Sequence, residues 1–253
     1  MKSRKVQFEG SKGEKLSARI DEPEDGTSRG AVLFAHCFTC SKNLKAIGRI
    51  SQSLTDQGMG VLRFDFTGLG ESEGDFADTN FSSNVEDLVK ASEFMAQEFH
   101  APRMLMGHSL GGGAVLQATK FIESVEAVAT IGAPCNPQHV THHLLDKKEE
   151  ILEKGEARVQ LGGRVFTIKK QFLDDLNEQN MDGIIKNLGK PLLIFHSPID
   201  DTVGIDNAAH IYKLAKHPKS FISLDDADHL LTKEEDALYV GRVAGAWAER
   251  YLN

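Results

Sequence analysis

The five residues Gly107-His108-Ser109-Leu110-Gly111 restrict the fold more than any other stretch of the chain. A short apolar run, 104–106, stops just before them. A run of helical period, from Leu110 to about Ile122, starts inside them. One residue must therefore carry the chain from strand to helix, and Ser109 stands at that corner. A turn this sharp forces strained backbone, and a Cβ at Gly107 or Gly111 would collide with neighbouring main chain. Gly112 and Gly113 continue the small face and let the helix lie close to a sheet. The helix N-terminus aims free N–H groups and the positive end of its dipole at the serine hydroxyl.

The same alternation extends along the chain. Residues 6–9 and 16–20 alternate like two antiparallel strands joined by a turn at 10–13. Residues 23–30 form a loop, and 31–35 are continuously apolar, as in a strand buried on both faces. A helix over 44–54 is stopped by Gly58 and Gly60, and 61–66 make the next strand. A helix over 84–99, capped by Ser82 or Ser83, precedes the strand at 104–106. Strands follow at 125–131, 191–195 and 220–224, with helices at 205–215 and 234–252. Such βαβα order predicts an α/β fold with a mainly parallel eight-stranded sheet covered by helices on both faces. Between Pro134 and Lys190 the rhythm breaks. That stretch is charged, carries two helical patterns, and alternates over 159–168 around Gly162-Gly163 like a hairpin. Residues 1–134 and 191–253 are read as the core and 135–190 as an inserted cap.

A length of 253 residues fits this plan. A net charge of −8 argues against a nucleic-acid partner. No apolar run reaches membrane-span length, and the first ten residues are polar. Three cysteines do not make a disulfide framework, so a cytoplasmic location is expected.

A serine at a strand-to-helix corner becomes a nucleophile when a histidine and a carboxylate follow in the order Ser, Asp or Glu, His, each after a strand. Asp200 follows the strand at 191–195, with Asp201 as the alternative, and His229 follows the strand at 220–224. His229 would take the Ser109 proton, and Asp200 would hold its tautomer. Asp225, Asp226 and Asp228 read as turn formers. The backbone N–H groups of Leu110 and of Phe38, in the loop after the third strand, are the expected oxyanion donors.

The stretches HCFTCS, FDFTGLGESEG, GHSLGG, HSPIDD and ADHLL together resemble the α/β-hydrolase superfamily over nearly the whole length. The branch most similar is that of serine aminopeptidase-like proteins and carboxylesterases. More narrowly, FAHCFTCSKN, RFDFTGLGESEGDF, TNFSSNV and HPKSF resemble the hydrolase module sometimes fused to OsmC-like domains. The resemblance implies the fold and the triad, and any OsmC-like partner would be a separate chain. Cys37 stands where that superfamily usually has glycine, which narrows or tilts the oxyanion loop.

The expected reaction is acyl transfer from a small or medium carboxylic ester to water through an acyl-enzyme, with no cofactor and no metal. Leu144, Leu145, Ile151, Leu152, Phe166 and Phe172 are the expected lining of an acyl pocket. Peptidase, amidase and acyltransferase chemistry share the fold, and a non-catalytic interaction module is the alternative of another class. A homodimer is left open. Cys37-Phe38-Thr39-Cys40 is a C-x-x-C pattern, but its context favours inert core cysteines over a redox pair. Cys135, His139, His142 and His143 could face one another, yet a polar cap helix is the simpler account than a zinc site. Asp146–Glu150 reads as a solvated helix face, and Asp65 with Gly68, Gly70 and Ser72 as a structural loop beside the serine.

Overall fold

The structure, a computed structural model, describes residues 1–161 and 163–252, and of His142 and His143 only the backbone. Two antiparallel strands, β1 (Lys2–Glu9) and β2 (Lys15–Glu22), open the chain. Then come β3 (Gly30–Ala35), α1 (Lys45–Thr55), β4 (Met59–Phe64), α2 (Phe81–Glu98), β5 (Met104–His108), α3 (Leu110–Ala118) and β6 (Ala127–Ile131). After an excursion the sheet resumes with β9 (Leu192–His196), α7 (Asp206–Leu214), β10 (Lys219–Ser223) and α8 (Glu234–Ala248). The eight-stranded sheet has the order β1-β2-β4-β3-β5-β6-β9-β10. The two pairs made by β2 are antiparallel, and the other five are parallel.

Side chains of the buried strands divide between two cores. Val32 and Phe34 of β3 point to the face covered by α1 and α8, where Ile47, Ile50, Val240 and Ala244 meet them. Ala31, Leu33 and Ala35 point to the opposite face, among Leu88, Val115 and Ile211 of α2, α3 and α7. That two-sided burial explains why these strands read as continuous apolar runs. Burying Phe34 completely contributes roughly 1.5–3 kcal/mol over leaving it in water. No helix among the described residues is long and apolar enough to cross a membrane.

Several expected boundaries shift: β1 starts at Lys2, α3 ends at Ala118 and α8 at Ala248, and two further shifts have a clear physical reason. Helix α2 starts at Phe81, because Asn80 caps it: its side chain accepts from the Ser83 N–H while Ser83 Oγ accepts from the Asn80 N–H. Ser82 and Ser83 therefore lie inside the helix. Gly58, at φ +83°, ends the turn after α1, whereas Gly60 belongs to β4. A Cβ at Gly60 would fall 2.2 Å from the Phe99 ring, so close packing fixes that glycine.

The excursion between β6 and β9 holds a 3₁₀ helix (Pro137–Lys147), α4 (Lys148–Lys154), the strands β7 (Glu156–Leu161) and β8 (Arg164–Lys169), α5 (Lys170–Glu178) and α6 (Met181–Lys186). Strands β7 and β8 form a separate antiparallel pair, as the alternation over 159–168 implied. Gly162, read as part of its turn, lies outside the described residues. The helical content is larger than the two patterns read from the sequence.

The direction of chain progression across the sheet reverses beside β3: β4 lies on one side of it and β5 on the other. The carboxyl ends of β3 and β5 thus open a crevice of the kind in which open α/β sheets hold their ligands.

Candidate active site

Ser109 occupies that crevice. It leaves β5 with φ 55° and ψ −125°, a conformation non-glycine residues rarely adopt, and heads α3. Its N–H donates to the Ile131 carbonyl at 2.8 Å. The flanking glycines are required by distance. A Cβ at Gly107 would sit 2.3 Å from the Gly111 carbonyl oxygen, and one at Gly111 would sit 2.4 Å from the His36 carbonyl oxygen. Gly112 closes against Ala133 in the same way, at 2.6 Å. Gly113 does not: its Cβ would meet only the Phe81 ring at an ordinary 3.6 Å, so close packing does not require glycine there.

Asp200 and His229 meet on the same edge. His229 Nδ1 donates to Asp200 Oδ2 at 2.8 Å, which leaves Nε2 as the basic nitrogen. Asp200 Oδ1 accepts from the N–H groups of Thr202 (2.9 Å) and Val203 (2.8 Å). Burial pushes the Asp200 carboxyl up, but the hydrogen bonds from His229 and from these amides outweigh it and hold it below the ordinary carboxylate value. Asp201, the alternative acid, is exposed and, among the described residues, accepts from the Thr202 hydroxyl. Gly132, just past β6, ties the pieces together. A Cβ there would lie 3.2 Å from Asp200 Oδ2 and 3.4 Å from the His229 ring, and its chain neighbour Ile131 holds the Ser109 N–H. Asp228 turns inside its own loop, accepting from the Leu230 and Thr232 N–H groups.

Three histidines hold this edge, two of them, His108 and His196, given no role from the sequence and the third, His139, weighed there only as part of a zinc site. His108 Nε2 donates to the His229 carbonyl at 2.7 Å, with the two rings 5.0 Å apart. Burial, and then the proximity of His229, pushes His108 down to about 3, so its ring is neutral. His196 Nε2 donates to the Val203 carbonyl at 2.6 Å, and burial lowers its pKa too. His139, from the excursion, donates to the Thr202 carbonyl at 2.8 Å. Position immediately before the serine and at the end of β9 was the available signal for the first two.

Phe38 and Leu110 line one small cavity beside Ser109, with His36, Cys37, Phe66, Leu69, Asn84, Gly111 and Ala114. Neither backbone N–H has an acceptor among the described residues. Leu110 is the first residue of α3, where such a donor is free by construction. The rest of this loop is firmly held. Lys42 is completely buried; its N–H and Nζ reach Asp65 at 2.6 and 2.5 Å, and Nζ also reaches Glu71 at 2.9 Å. Arg63 donates to the Lys42 carbonyl and, at 2.6 Å, to Asp21. The Lys42 and Lys5 hydrogen bonds hold Glu71 down at about 2. Asp65 is thus the structural residue its place before the serine suggested, and a Cβ at Gly70 would overlap it at 2.3 Å.

The cysteines require a correction. Cys37 and Cys40, read as inert thiols, are joined by a disulfide across a turn in which the Cys40 N–H donates to the Cys37 carbonyl. C-x-x-C spacing permits this once the turn brings the Cα atoms to 5.3 Å. Cys135 is free and half-buried, its N–H donating to Asn207 Oδ1. The side chains of His142 and His143, its suggested neighbours, lie outside the described residues.

The excursion covers the loop after β3 with aromatic rings. Phe38 packs between Phe76 (5.5 Å) and Phe172 (5.3 Å), and Phe76 meets Phe166 at 5.0 Å. Arg164 lies over Phe166 and donates to the Thr39 carbonyl. Helix α5 is tied to the start of α2 through Gln171–Asn80 and Asp175–Ser82. Of the expected pocket residues, Leu144, Ile151 and Phe172 are buried and Phe166 is half-buried, whereas Leu145 and Leu152 are 59% and 47% exposed.

The family model described as "Serine aminopeptidase, S33" matches residues 26–181. The esterase domain of a Rhodothermus marinus protein is 51% identical, covers all of both chains, and superimposes with a TM-score of 0.82. Est1E from Butyrivibrio proteoclasticus, solved with ferulic acid, reaches the same TM-score at 18% identity over 98% of this chain and 99% of its own, which speaks to fold alone. The uncharacterized protein YfhR of Salmonella typhi is 23% identical over 218 residues, 86% of this chain and 69% of YfhR.

Proposed function

Because this chain belongs to the S33 serine aminopeptidase family, and is a hydrolase of the α/β fold, we propose that it cleaves small to medium carboxylic esters through an acyl-enzyme on Ser109. The observation that carries the reading is the His229–Asp200 hydrogen bond on the edge where Ser109 is held in strained backbone. In this reading Ser109 Oγ attacks the ester carbonyl and His229 Nε2 takes its proton. The N–H groups of Phe38 and Leu110 receive the charge that develops on the carbonyl oxygen. His229 then returns the proton to the departing alcohol. Water, deprotonated by the same nitrogen, releases the acid and restores Ser109.

Asp200 stays ionised throughout. Its lowered pKa supports that role, and its hydrogen bond favours the imidazolium that forms on His229. Residues 135–190 serve as the cap, with Phe166 and Phe172 on its inner side. Esters are favoured over amides because the 51% identical Rhodothermus marinus domain is an esterase domain.

Hydrolysis of p-nitrophenyl esters from acetate to laurate, with wild type and Ser109→Ala side by side, tests the reading. Activity that varies with acyl length and is absent in the mutant is the expected result. Equal rates in both proteins would sink the Ser109 assignment, and no ester turnover by folded wild type would sink the ester.

A further inference from the structure

The Cys37–Cys40 disulfide brackets Phe38, one of the two proposed oxyanion donors. The chain on either side is fixed by other means. His36, before it, donates Nδ1–H to the Cys37 carbonyl at 2.7 Å and packs edge-on against Phe66. Lys42, after it, is locked to Asp65 through both its N–H and its ammonium. Between these anchors the conformation of 38–41 depends on the disulfide, on the Arg164–Thr39 contact and on the packing of the Phe38 ring. The two sulfurs differ in access: Cys37 is buried at 6% exposure, and Cys40 is half-buried.

We propose that Cys37 and Cys40 form a reversible thiol–disulfide modification site, reduced by low-molecular-weight thiols or dithiols, and that the bonded state is the one that sets the oxyanion loop for catalysis. The catalytic half of this proposal rests on the assignment of the Phe38 N–H as an oxyanion donor. The exchange is balanced with two external thiols. A thiolate attacks the accessible Cys40 Sγ, forming a mixed disulfide; the Cys37–Cys40 bond breaks, and its electron pair leaves on Cys37 Sγ, which takes a proton. A second thiolate attacks the external sulfur of that mixed disulfide. The external pair is oxidised to its disulfide, and Cys40 departs as a thiol. Two protons from the reductant end on the two cysteines.

Opening the bond frees the backbone of Phe38 and Thr39 without touching Ser109, His229 or Asp200. Losing one oxyanion donor outright costs about 10²–10³ in kcat, so a donor that is only loosened is expected to lose about tenfold, with KM less affected. The test uses the full chain purified in air. Alkylation in denaturant, read by intact mass, should find one reactive thiol, Cys135, before treatment with dithiothreitol and three after it. Three before treatment overturns the proposal. Ester hydrolysis should then fall about tenfold on reduction and return on re-oxidation, and Cys40→Ser should match the reduced enzyme while ignoring dithiothreitol. Unchanged or faster turnover in a demonstrably reduced protein also overturns it. Amide hydrogen exchange over 38–41 supplies a readout that needs no ester: faster exchange on reduction is expected, and unchanged exchange defeats the proposal. If wild type hydrolyses no ester in either state yet the thiol count and exchange change as expected, the ester reading has failed and the modification site stands.

Discussion

The loops after β9 and β10 and the loop after β3 all end at the Ser109 edge, yet the first two are held by uncharged histidines and the third, besides His36, by buried ions. His196 and His108 grip the carbonyls of Val203 and His229, and burial keeps both rings neutral. Lys42, Asp65, Arg63 and Asp21 hold the loop after β3 as ion pairs at 2.5–2.6 Å. The difference follows from what each loop must tolerate. In the proposed reaction His229 gains a full charge. A second fixed charge 5.0 Å away, the separation of the His108 ring, would alter its energy by about 3 kcal/mol at an effective dielectric constant of 20. Neutral clasps leave Asp200 as the close charge that governs the base. In the loop after β3 each cation sits directly against carboxylate, Lys42 between Asp65 and Glu71 and Arg63 on Asp21, so opposite charges largely cancel where they fasten the loop.

Changes that break this division should be ranked by which side they touch. Asp200→Asn keeps the size of the acid but removes the charge and the tautomer control of His229. A loss of about 10⁴ in kcat with little change in thermal stability is expected from steady-state kinetics beside a melting curve. Lys42→Met should act through stability. It leaves Asp65 buried without its cation and costs about 3–5 kcal/mol in urea unfolding, and adding Asp65→Asn should recover part of it. If Lys42→Met melts like wild type, the ion pair is not what fastens the loop.

The smallest effect, and the one that sharpens the comparison most, concerns pH. His108 has a folded pKa of about 3, well below the ordinary imidazole value of about 6.5. The unfolded chain therefore binds a proton the native one refuses. Stability is full above about pH 6.5 and falls as pH drops towards 3, at up to about 1.4 kcal/mol per unit for one such group. His108→Leu should flatten the decline of the urea midpoint between pH 6.5 and 5. A slope unchanged by the substitution would mean that the ring is not held neutral.

Much of the molecule was legible where local pattern and chain order decide. The strands with two buried faces, the β7–β8 hairpin and the corner at Ser109 follow from apolar runs, alternation and glycine spacing. The order of Asp200 and His229 after β9 and β10 placed them on one edge, where they form a hydrogen bond. What escaped depends on tertiary neighbours. Lys42, in a polar stretch, reads as a surface residue and is buried only because Asp65 arrives from another loop. His108 and His196 look like spare histidines until the carbonyls they grip come from elsewhere in the chain. The C-x-x-C pattern reads alike with or without the turn that brings its sulfurs together. Leu145 and Leu152 are as apolar as Leu144 and Ile151, and their outward placement is set by the 3₁₀ turns and the short α4, which periodicity alone does not reveal.

One feature of the sheet bears on how such a chain can change over evolutionary time. Strands β6 and β9 are direct neighbours, Val128 pairing with Leu192, although some 60 residues intervene between their ends. The entropy of closing such a stretch grows only with the logarithm of its length, so doubling it costs about 0.6 kcal/mol. The scaffold is therefore nearly indifferent to how much chain is spliced in at that joint. Chain can be added there with little entropic penalty, provided that Leu144, Ile151, Phe172 and Leu176, or their replacements, still complete the core they share with the sheet, and that Arg164 and His139 still reach the loops on either side of Ser109.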